Sequence, residues 1–214
     1  MHQFKSVPNL NSLMEINPDL EFVLWDMDGT IMETECLHSK GTAAILNHYH
    51  ASSEVPSMEE IDKLCIGATD GICLQKLKSL NLLLEMSEEE FISQKTIFIS
   101  KELESKDIID LINSGVINLL KECNRNGIKQ AVVTSSEKEL THILLKFLNL
   151  NHFFEFILTR EDTKKNKPDP LPYLTALEKF KAAKEKCLII EDSQTGLAAA
   201  NASNIMTIQA RWYY

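Results

Sequence analysis

An apolar run that ends abruptly in two carboxylates restricts the fold of this chain more than any other feature. Residues 21–25 (EFVLW) are followed directly by residues 26–30 (DMDGT). This pattern predicts a buried strand that delivers acids into a crevice. Two aspartates one residue apart at a strand end can supply a nucleophilic oxygen, a proton donor and ligands for a hard cation. Asp and Gly are also common turn residues, so the motif alone leaves a structural interpretation open.

Three further polar clusters end or follow apolar runs later in the chain. They are Thr134-Ser135-Ser136 after 127–133 (GIKQAVV), Lys167-Pro168-Asp169-Pro170 beyond 153–159 (FFEFILT) and a polar loop, and Glu191-Asp192-Ser193 after 187–190 (CLII). Because the carboxyl ends of parallel strands meet at one crevice of an α/β sheet, we expect these groups to converge. Together they match what phosphoryl transfer requires: an anionic nucleophile, a cation held by carboxylates, and donors for the phosphoryl oxygens.

These motifs resemble those of the haloacid dehalogenase-like hydrolases, and within them the subfamily I phosphatases with a helical C1 cap (the phosphoglycolate phosphatase and β-phosphoglucomutase branch). The resemblance rests on DMDGT at 26–30, Thr134, KPDP at 167–170 and EDSQTGLAAANAS at 191–203. It implies an α/β fold, with a Rossmann-like core around a central parallel sheet and an inserted α-helical cap. We expect a lead-in over 1–20, the core at 21–31 and 108–214, and the cap at 32–107.

The residue pattern agrees with this organisation. Residues 1–20 are polar and contain two prolines and three asparagines, which predicts a loosely packed segment. Helical periodicity occupies most of 32–107, where Ser57 with Glu60 and Ser87 with Glu90 are capping-box candidates. Beyond residue 108 helices and strands alternate, as in right-handed βαβ units around a parallel sheet.

The resemblance also implies the chemical roles. Asp26 becomes the nucleophile that forms an aspartyl-phosphate, and Asp28 the acid that protonates the leaving oxygen and later activates water. A neighbouring carboxylate and an enclosed site would both raise the pKa of Asp28, as a proton donor at neutral pH needs. Mg²⁺ is the expected cofactor, held by the side chains of Asp26 and Asp192 and the Asp28 backbone carbonyl. Glu191 would orient either Lys167 or a metal-bound water.

The remaining candidate residues would contact the substrate. Thr134 would donate its hydroxyl to a phosphoryl oxygen beside the Ser135 N–H, and Lys167 would supply a positive charge. By resemblance, Thr30 is typical of phosphatases that pass the phosphoryl group to water. The resemblance places the substrate-reading groups of the cap at His38, Gly67, Thr69 and Asp70.

Two of these cap residues have an alternative structural interpretation, and a third predicts a substrate preference. His38 could equally be a partly exposed cap residue, and Gly67 could simply end a helix. A carboxylate at Asp70 would repel a second dianion and favour monophosphates over bisphosphates.

Composition limits the partners and the compartment. Acidic residues outnumber basic ones by 31 to 22, for a formal charge of −9, which argues against a nucleic-acid or anionic-membrane partner. The five cysteines show no CxxC spacing and predict buried thiols of a reducing compartment. No apolar stretch approaches membrane-spanning length, and the amino terminus lacks an apolar signal core. We therefore expect a cytoplasmic protein, a monomer or weak dimer, that binds a small phosphorylated metabolite.

The sequence thus predicts a Mg²⁺-dependent phosphatase that hydrolyses a sugar phosphate or a phosphoglycolate-like monoester. One alternative is a phosphomutase of the β-phosphoglucomutase type, which returns the phosphoryl group to its substrate. An alternative of another class is a phosphorylation-controlled or catalytically idle binding module, since response-regulator receivers use a similar set of groups. Receivers are compact, whereas Asp26 and Thr134 are far apart in this chain.

Overall fold

The structure is a computed structural model, and it describes residues 2–49, 55–65, 68–104 and 111–213. It divides into two compact units. The first, here called the core unit, comprises Met1–Glu33 and Asp110–Tyr214, and the second, the helical unit, comprises Thr34–Ile109.

A parallel sheet of six described strands forms the centre of the core unit. The strands are β1 (His2–Phe4), β2 (Phe22–Trp25), β3 (Lys129–Val133), β4 (Phe156–Leu158), β5 (Cys187–Glu191) and β6 (Met206–Ala210). The helices of this unit are α1 (Leu10–Ile16), α6 (Ser114–Arg125), α7 (Lys138–Phe147), α8 (Leu171–Phe180) and α9 (Gln194–Ser203). All strand pairs are parallel, in the order β1-β6-β5-β2-β3-β4. The prediction of an α/β fold around a parallel sheet is confirmed.

The position of β2 in this order determines where a site can form. The chain passes from β2 to β3 and β4 on one side and then crosses to β5 on the other. The switch point of the sheet therefore lies at the carboxyl end of β2, where open α/β sheets bind their ligands. Val23, Leu24 and Trp25 are fully buried, as expected for a strand covered on both faces.

The amino-terminal segment is ordered, so the prediction of loose packing over 1–20 was wrong. β1 extends the sheet by pairing with β6, and α1 buries Leu10 and Leu13. The Asn9 side chain caps α1 by accepting a hydrogen bond from the Ser12 N–H at 3.0 Å. A three-residue edge strand has almost no hydrophobic pattern of its own, which is why the sequence did not reveal it.

Strand β4 is shorter than its apolar run suggested. Phe153 belongs to a 3₁₀ turn at Asn151–Phe153 and is buried there, so only Phe156–Leu158 pair with β3. Helix α6 ends at Arg125 and is followed by Asn126 and by Gly127, whose positive φ of 73° is a conformation that glycine adopts readily after a helix.

The helical unit contains α2 (Glu35–Tyr49), α3 (Met58–Cys65), α4 (Asp70–Ser79) and α5 (Glu88–Glu104) around its own apolar cluster. The capping box before α3 is present, because the Ser57 N–H donates to the Glu60 carboxylate at 2.8 Å. Ser87 accepts from the Glu90 N–H at 3.1 Å before α5. None of the helices in the described ranges has the length and apolar character that a membrane crossing requires.

The cysteines differ from the sequence prediction of five buried thiols. Cys123 and Cys187 are buried, and burial raises the pKa of each thiol to about 12. Cys36 is exposed, however, and Cys65 and Cys73 form a disulfide between Cα atoms 5.2 Å apart. The fold brings this pair together at the end of α3 and the first turn of α4. The two cysteines are 8 positions apart, so a search for CxxC spacing does not detect them.

Candidate active site

Asp26 and Asp28 leave the sheet at its switch point. The backbone of Asp26 still belongs to the sheet, because its N–H donates to the Ile190 carbonyl at 2.9 Å. The chain then turns at Gly29, whose φ of 74° is a conformation that side chains disfavour. Asp26 is consequently buried at the strand end, whereas Asp28 is only half-buried on the turn that follows.

Lys167 lies between two carboxylates. Its Nζ is 2.6 Å from Asp26 Oδ1 and 2.8 Å from Glu191 Oε1, and its side chain is 3% exposed. The ammonium group also lies 5.0 Å from the centre of the Tyr173 ring. The lysine of the KPDP motif thus contacts the first aspartate of DMDGT directly, which agrees with the convergence expected from the sequence.

Glu191 is held by the start of α9. Its Oε2 accepts hydrogen bonds from the Ser193 N–H at 2.8 Å and hydroxyl at 3.1 Å, while Oε1 accepts from Lys167. The carboxylate lies so close to Gly196 that any Cβ at this position would overlap it. The space at position 196 therefore admits only glycine while Glu191 keeps this place. Both carboxylate oxygens of Glu191 accept hydrogen bonds from the protein.

Carboxylate oxygens of Asp26, Glu191 and Asp192 lie within 4.8 Å of one another, and all three residues are buried. This oxygen-rich cluster fits a hard divalent cation such as Mg²⁺. The Thr30 hydroxyl donates to Asp192 Oδ1 at 3.2 Å. Because Thr30 is fully buried, its hydroxyl meets Asp192 rather than solvent, an arrangement that the sequence did not predict.

Two hydroxyls hold Asp28. Thr134 Oγ1 donates to Asp28 Oδ2 at 3.3 Å, and Ser136 Oγ donates to the same oxygen at 2.5 Å. The Ser136 N–H in turn donates to Thr134 Oγ1 at 3.0 Å. Sequence reasoning selected Thr134 and the half-buried Ser135 but missed Ser136, although it stands in the same polar cluster.

The electrostatics of the cluster are dominated by burial and by the excess of carboxylates. Burial, and next the charge of Glu191, raise the pKa of Asp26 well above its usual value, while Lys167 opposes this shift. Burial disfavours the charge of Lys167, but Asp26 and Glu191 outweigh it and hold the lysine pKa above its usual value. A bound cation would further favour the ionised Asp26 that a nucleophile requires.

The cap candidates fall in the helical unit. His38 is half-buried on α2, and the Thr69 side chain caps α4 by accepting from the Ile72 N–H at 3.4 Å. Gly67 lies outside the described residues. These contacts do not test whether the residues bind substrate, so their substrate roles stay predictions.

Asp70 is buried and forms an ion pair with Lys95, whose side chain is 3% exposed. Lys95 also lies 5.5 Å from the centre of the Phe91 ring. The structure therefore removes the basis for expecting the Asp70 charge to repel a second phosphate, because a buried ammonium group compensates that charge. No pattern in the sequence indicated this pair, since Asp70 and Lys95 lie on different helices.

Comparison with known proteins identifies the family of this chain. A family model described as haloacid dehalogenase-like hydrolase matches residues 23–210. The chain belongs to this family. The match spans the strand end with Asp26 and Asp28 and continues through β6, so it includes every element that contributes to the cluster.

Relatives and solved structures agree with the assignment. The chain is 28% identical over 189 residues to the phosphorylated carbohydrates phosphatase of Thermotoga maritima, covering 88% of this chain and 84% of that protein. It is 26% identical over 190 residues to the fructose-1-phosphate phosphatase YqaB of Escherichia coli, covering 88% and 95%. The crystal structure of CbbY from Rhodobacter sphaeroides in complex with phosphate superposes with a TM-score of 0.73 at 21% identity, covering 88% and 85% of the two chains. This last likeness shows the fold alone.

Proposed function

We propose that this protein is a Mg²⁺-dependent phosphatase that hydrolyses a small phosphorylated metabolite through an aspartyl-phosphate on Asp26. The observation that carries the proposal is the placement of Asp26 at the switch point, in contact with Lys167 and next to the carboxylates of Glu191 and Asp192. Nucleophile, positive charge and cation ligands lie together where a phosphoryl group could enter, which is the arrangement that phosphoryl transfer requires.

In the first step, an Asp26 carboxylate oxygen attacks phosphorus and the bond from phosphorus to the leaving oxygen breaks. Asp28 gives its proton to that oxygen. Its position supports this role, because it is half-buried and fixed by the hydroxyls of Thr134 and Ser136. A positioned acid of this kind contributes about 10²- to 10⁴-fold, most for leaving groups that depart as strong bases.

In the second step, the Asp28 carboxylate takes a proton from water, which attacks phosphorus and releases inorganic phosphate and the Asp26 carboxylate. Lys167 stays next to Asp26 through both steps and balances charge on the phosphoryl oxygens. Mg²⁺, held by Asp26, Asp192 and the Asp28 carbonyl, would supply further positive charge there. Glu191 would fix Lys167, since both of its oxygens already accept hydrogen bonds from the protein.

The substrate class follows from the relatives. The similar proteins of Thermotoga maritima and Escherichia coli are named as phosphatases of phosphorylated carbohydrates and of fructose 1-phosphate. We therefore propose a sugar phosphate or phosphoglycolate-like monoester as the substrate of this chain. The His38 and Thr69 side chains in the helical unit remain proposed substrate contacts.

The test is turnover of p-nitrophenyl phosphate, followed by a panel of sugar phosphates, with Mg²⁺ and with EDTA. We expect release of inorganic phosphate that requires Mg²⁺ and is lost in Asp26→Asn. Absence of turnover on every monoester, or activity unchanged in Asp26→Asn, would refute the proposal. In a phosphomutase, an isomeric sugar phosphate would accumulate instead of inorganic phosphate.

A further inference from the structure

Two aromatic residues that follow β6 after Arg211 hold the loop that carries the second aspartate. The Trp212 indole N–H donates to the Thr30 carbonyl at 3.0 Å, and the Tyr213 hydroxyl donates to the Ile31 carbonyl at 2.8 Å. Trp212 is buried and Tyr213 is half-buried. Two consecutive carbonyls of one loop are thus tied to the end of the sheet.

The Tyr213 hydroxyl also accepts a hydrogen bond. The Asn113 N–H donates to Tyr213 Oη at 2.8 Å, and the Asn113 side chain caps α6 through the Gly115 N–H at 2.8 Å. Burial raises the pKa of Tyr213 to about 12, so the hydroxyl keeps its proton and can donate and accept at once. One oxygen atom therefore connects the segment after the DMDGT loop with the start of α6.

Most of the other backbone hydrogen bonds of this loop are internal, while the Glu33 N–H at its end donates to the Leu111 carbonyl at 2.8 Å. The N–H groups of Thr30, Ile31 and Met32 all donate to the Met27 carbonyl, at 3.3, 2.9 and 3.1 Å, and the Gly29 N–H donates to Met32 at 2.7 Å. These bonds give the loop its shape. The internal bonds do not determine where the loop lies on the core unit. Its position is set by the side-chain hydrogen bonds of Asp28 and Thr30 and, at the backbone carbonyls, by the bonds from Trp212 and Tyr213.

We propose that Trp212 and Tyr213 are positioning residues for the general acid and base. The inference rests on the proposed function, because Asp28 lies in the loop that they hold. Asp26 lies at the strand end and is fixed separately by its N–H bond to Ile190. A shift of the loop would displace Asp28 but leave the nucleophile in place, and a displacement of about 1 Å can cost about 100-fold in rate.

The matched variants are Trp212→Phe and Tyr213→Phe, which keep an aromatic ring and remove the hydrogen-bonding group. We expect kcat/KM for an alkyl phosphate to fall at least about 10-fold more than kcat/KM for p-nitrophenyl phosphate, because p-nitrophenolate leaves without a proton. Phe180→Leu is the control. Phe180 packs against Phe22 and Phe156 near the amino ends of their strands, opposite the site. We expect Phe180→Leu to keep the wild-type ratio of kcat/KM for the two substrates. Equal losses on both substrates in Trp212→Phe and Tyr213→Phe would overturn the inference.

A second measurement does not depend on turnover. Amide hydrogen exchange of the peptide covering 27–33 should be faster in Trp212→Phe and in Tyr213→Phe than in wild type, and unchanged in Phe180→Leu. Unchanged exchange in Trp212→Phe and Tyr213→Phe would overturn the inference even in an active enzyme. A wild-type protein without turnover would refute the proposed function, and the exchange rates would still decide whether the two aromatic residues fix the loop.

Discussion

Replacing Lys167 by methionine removes the positive charge that lies between two buried carboxylates. Methionine is also unbranched and similar in length, so Asp26 and Glu191 lose their cation with little change in packing. Removing one partner of a buried ion pair costs about 3–5 kcal/mol. In a domain of this size, 1 kcal/mol changes Tm by about 2–4 °C, so we expect the metal-free Tm to fall by about 6–20 °C.

The assay is thermal unfolding in EDTA, compared with the same scan in excess Mg²⁺. Lys186→Met is the matched control, because Lys186 pairs with Glu21 at 2.5 Å but the two side chains are 46% and 52% exposed. Exposed pairs of this kind contribute little to stability, so this variant should melt close to wild type. A cation that binds only the native state, present at a concentration of about 100 times its Kd, raises the free energy of unfolding by about 2.7 kcal/mol. Excess Mg²⁺ should therefore recover part of the stability lost in Lys167→Met.

If the two lysine variants melt at the same temperature in EDTA, the buried carboxylates do not depend on Lys167 for neutralisation. The electrostatic description of the site would then be wrong. If Lys167→Met is destabilised but Mg²⁺ restores nothing, the lysine matters while the carboxylate cluster does not bind the cation.

Four further outcomes are expected. Asp28→Asn should lose more activity on alkyl phosphates than on p-nitrophenyl phosphate, and equal losses would exclude Asp28 as the acid. Asp192→Ala should raise the Mg²⁺ concentration needed for half-maximal activity and lower kcat, so an unchanged Mg²⁺ titration would mean that the cation binds elsewhere. In the helical unit, Lys95→Met should destabilise the protein by about 3–5 kcal/mol in urea unfolding, and adding Asp70→Asn should restore much of this loss; additive losses would contradict a coupled pair. Although partial burial opposes its charge, hydrogen bonds from the Thr159 N–H and hydroxyl hold the pKa of Asp162 below its usual value. The stability this provides is present above the unfolded pKa of about 3.9 and is lost as pH falls through the lower folded value, so wild type and Asp162→Asn should differ in urea midpoint near pH 7 and converge in acid.

The parts of the site that the sequence revealed are those encoded locally. Asp26, Thr134 and Glu191 each follow an apolar run, and the parallel sheet necessarily brings the ends of such runs together. Lys167 follows its apolar run only after a polar loop, so the strand pattern predicted that it would converge with the other groups. Its role beside the first aspartate came from the resemblance of the KPDP motif to that of a known family.

The features that the sequence did not reveal depend on distant contacts. Nothing in the pattern around Lys95 shows that it pairs with Asp70 on another helix, and the Cys65–Cys73 pairing likewise depends on how two helices meet. The aromatic residues after β6 gave no signal either, because Trp212 meets the DMDGT loop only once the sheet has formed. Periodicity describes one element at a time and does not report such pairs.

The turn from α9 into β6 has a simple physical explanation. Asn204 follows α9 with φ of 56° and ψ of 27°. This left-handed conformation is the common way to end a helix, and asparagine tolerates it better than most residues with a side chain. Asn204 therefore ends the helix and lets the chain turn into β6.

The most direct test of the proposed chemistry is to trap the phosphoryl group on the protein. Asp28→Asn should still be phosphorylated by p-nitrophenyl phosphate with Mg²⁺, because this leaving group needs no acid, and should then hydrolyse slowly without its base. Acid quenching followed by borohydride reduction converts an aspartyl-phosphate to homoserine, which peptide mass spectrometry can locate. We expect homoserine at position 26 and none in Asp26→Asn/Asp28→Asn. Homoserine at another aspartate, or none at all while p-nitrophenol is released, would contradict the assignment of Asp26 as the nucleophile.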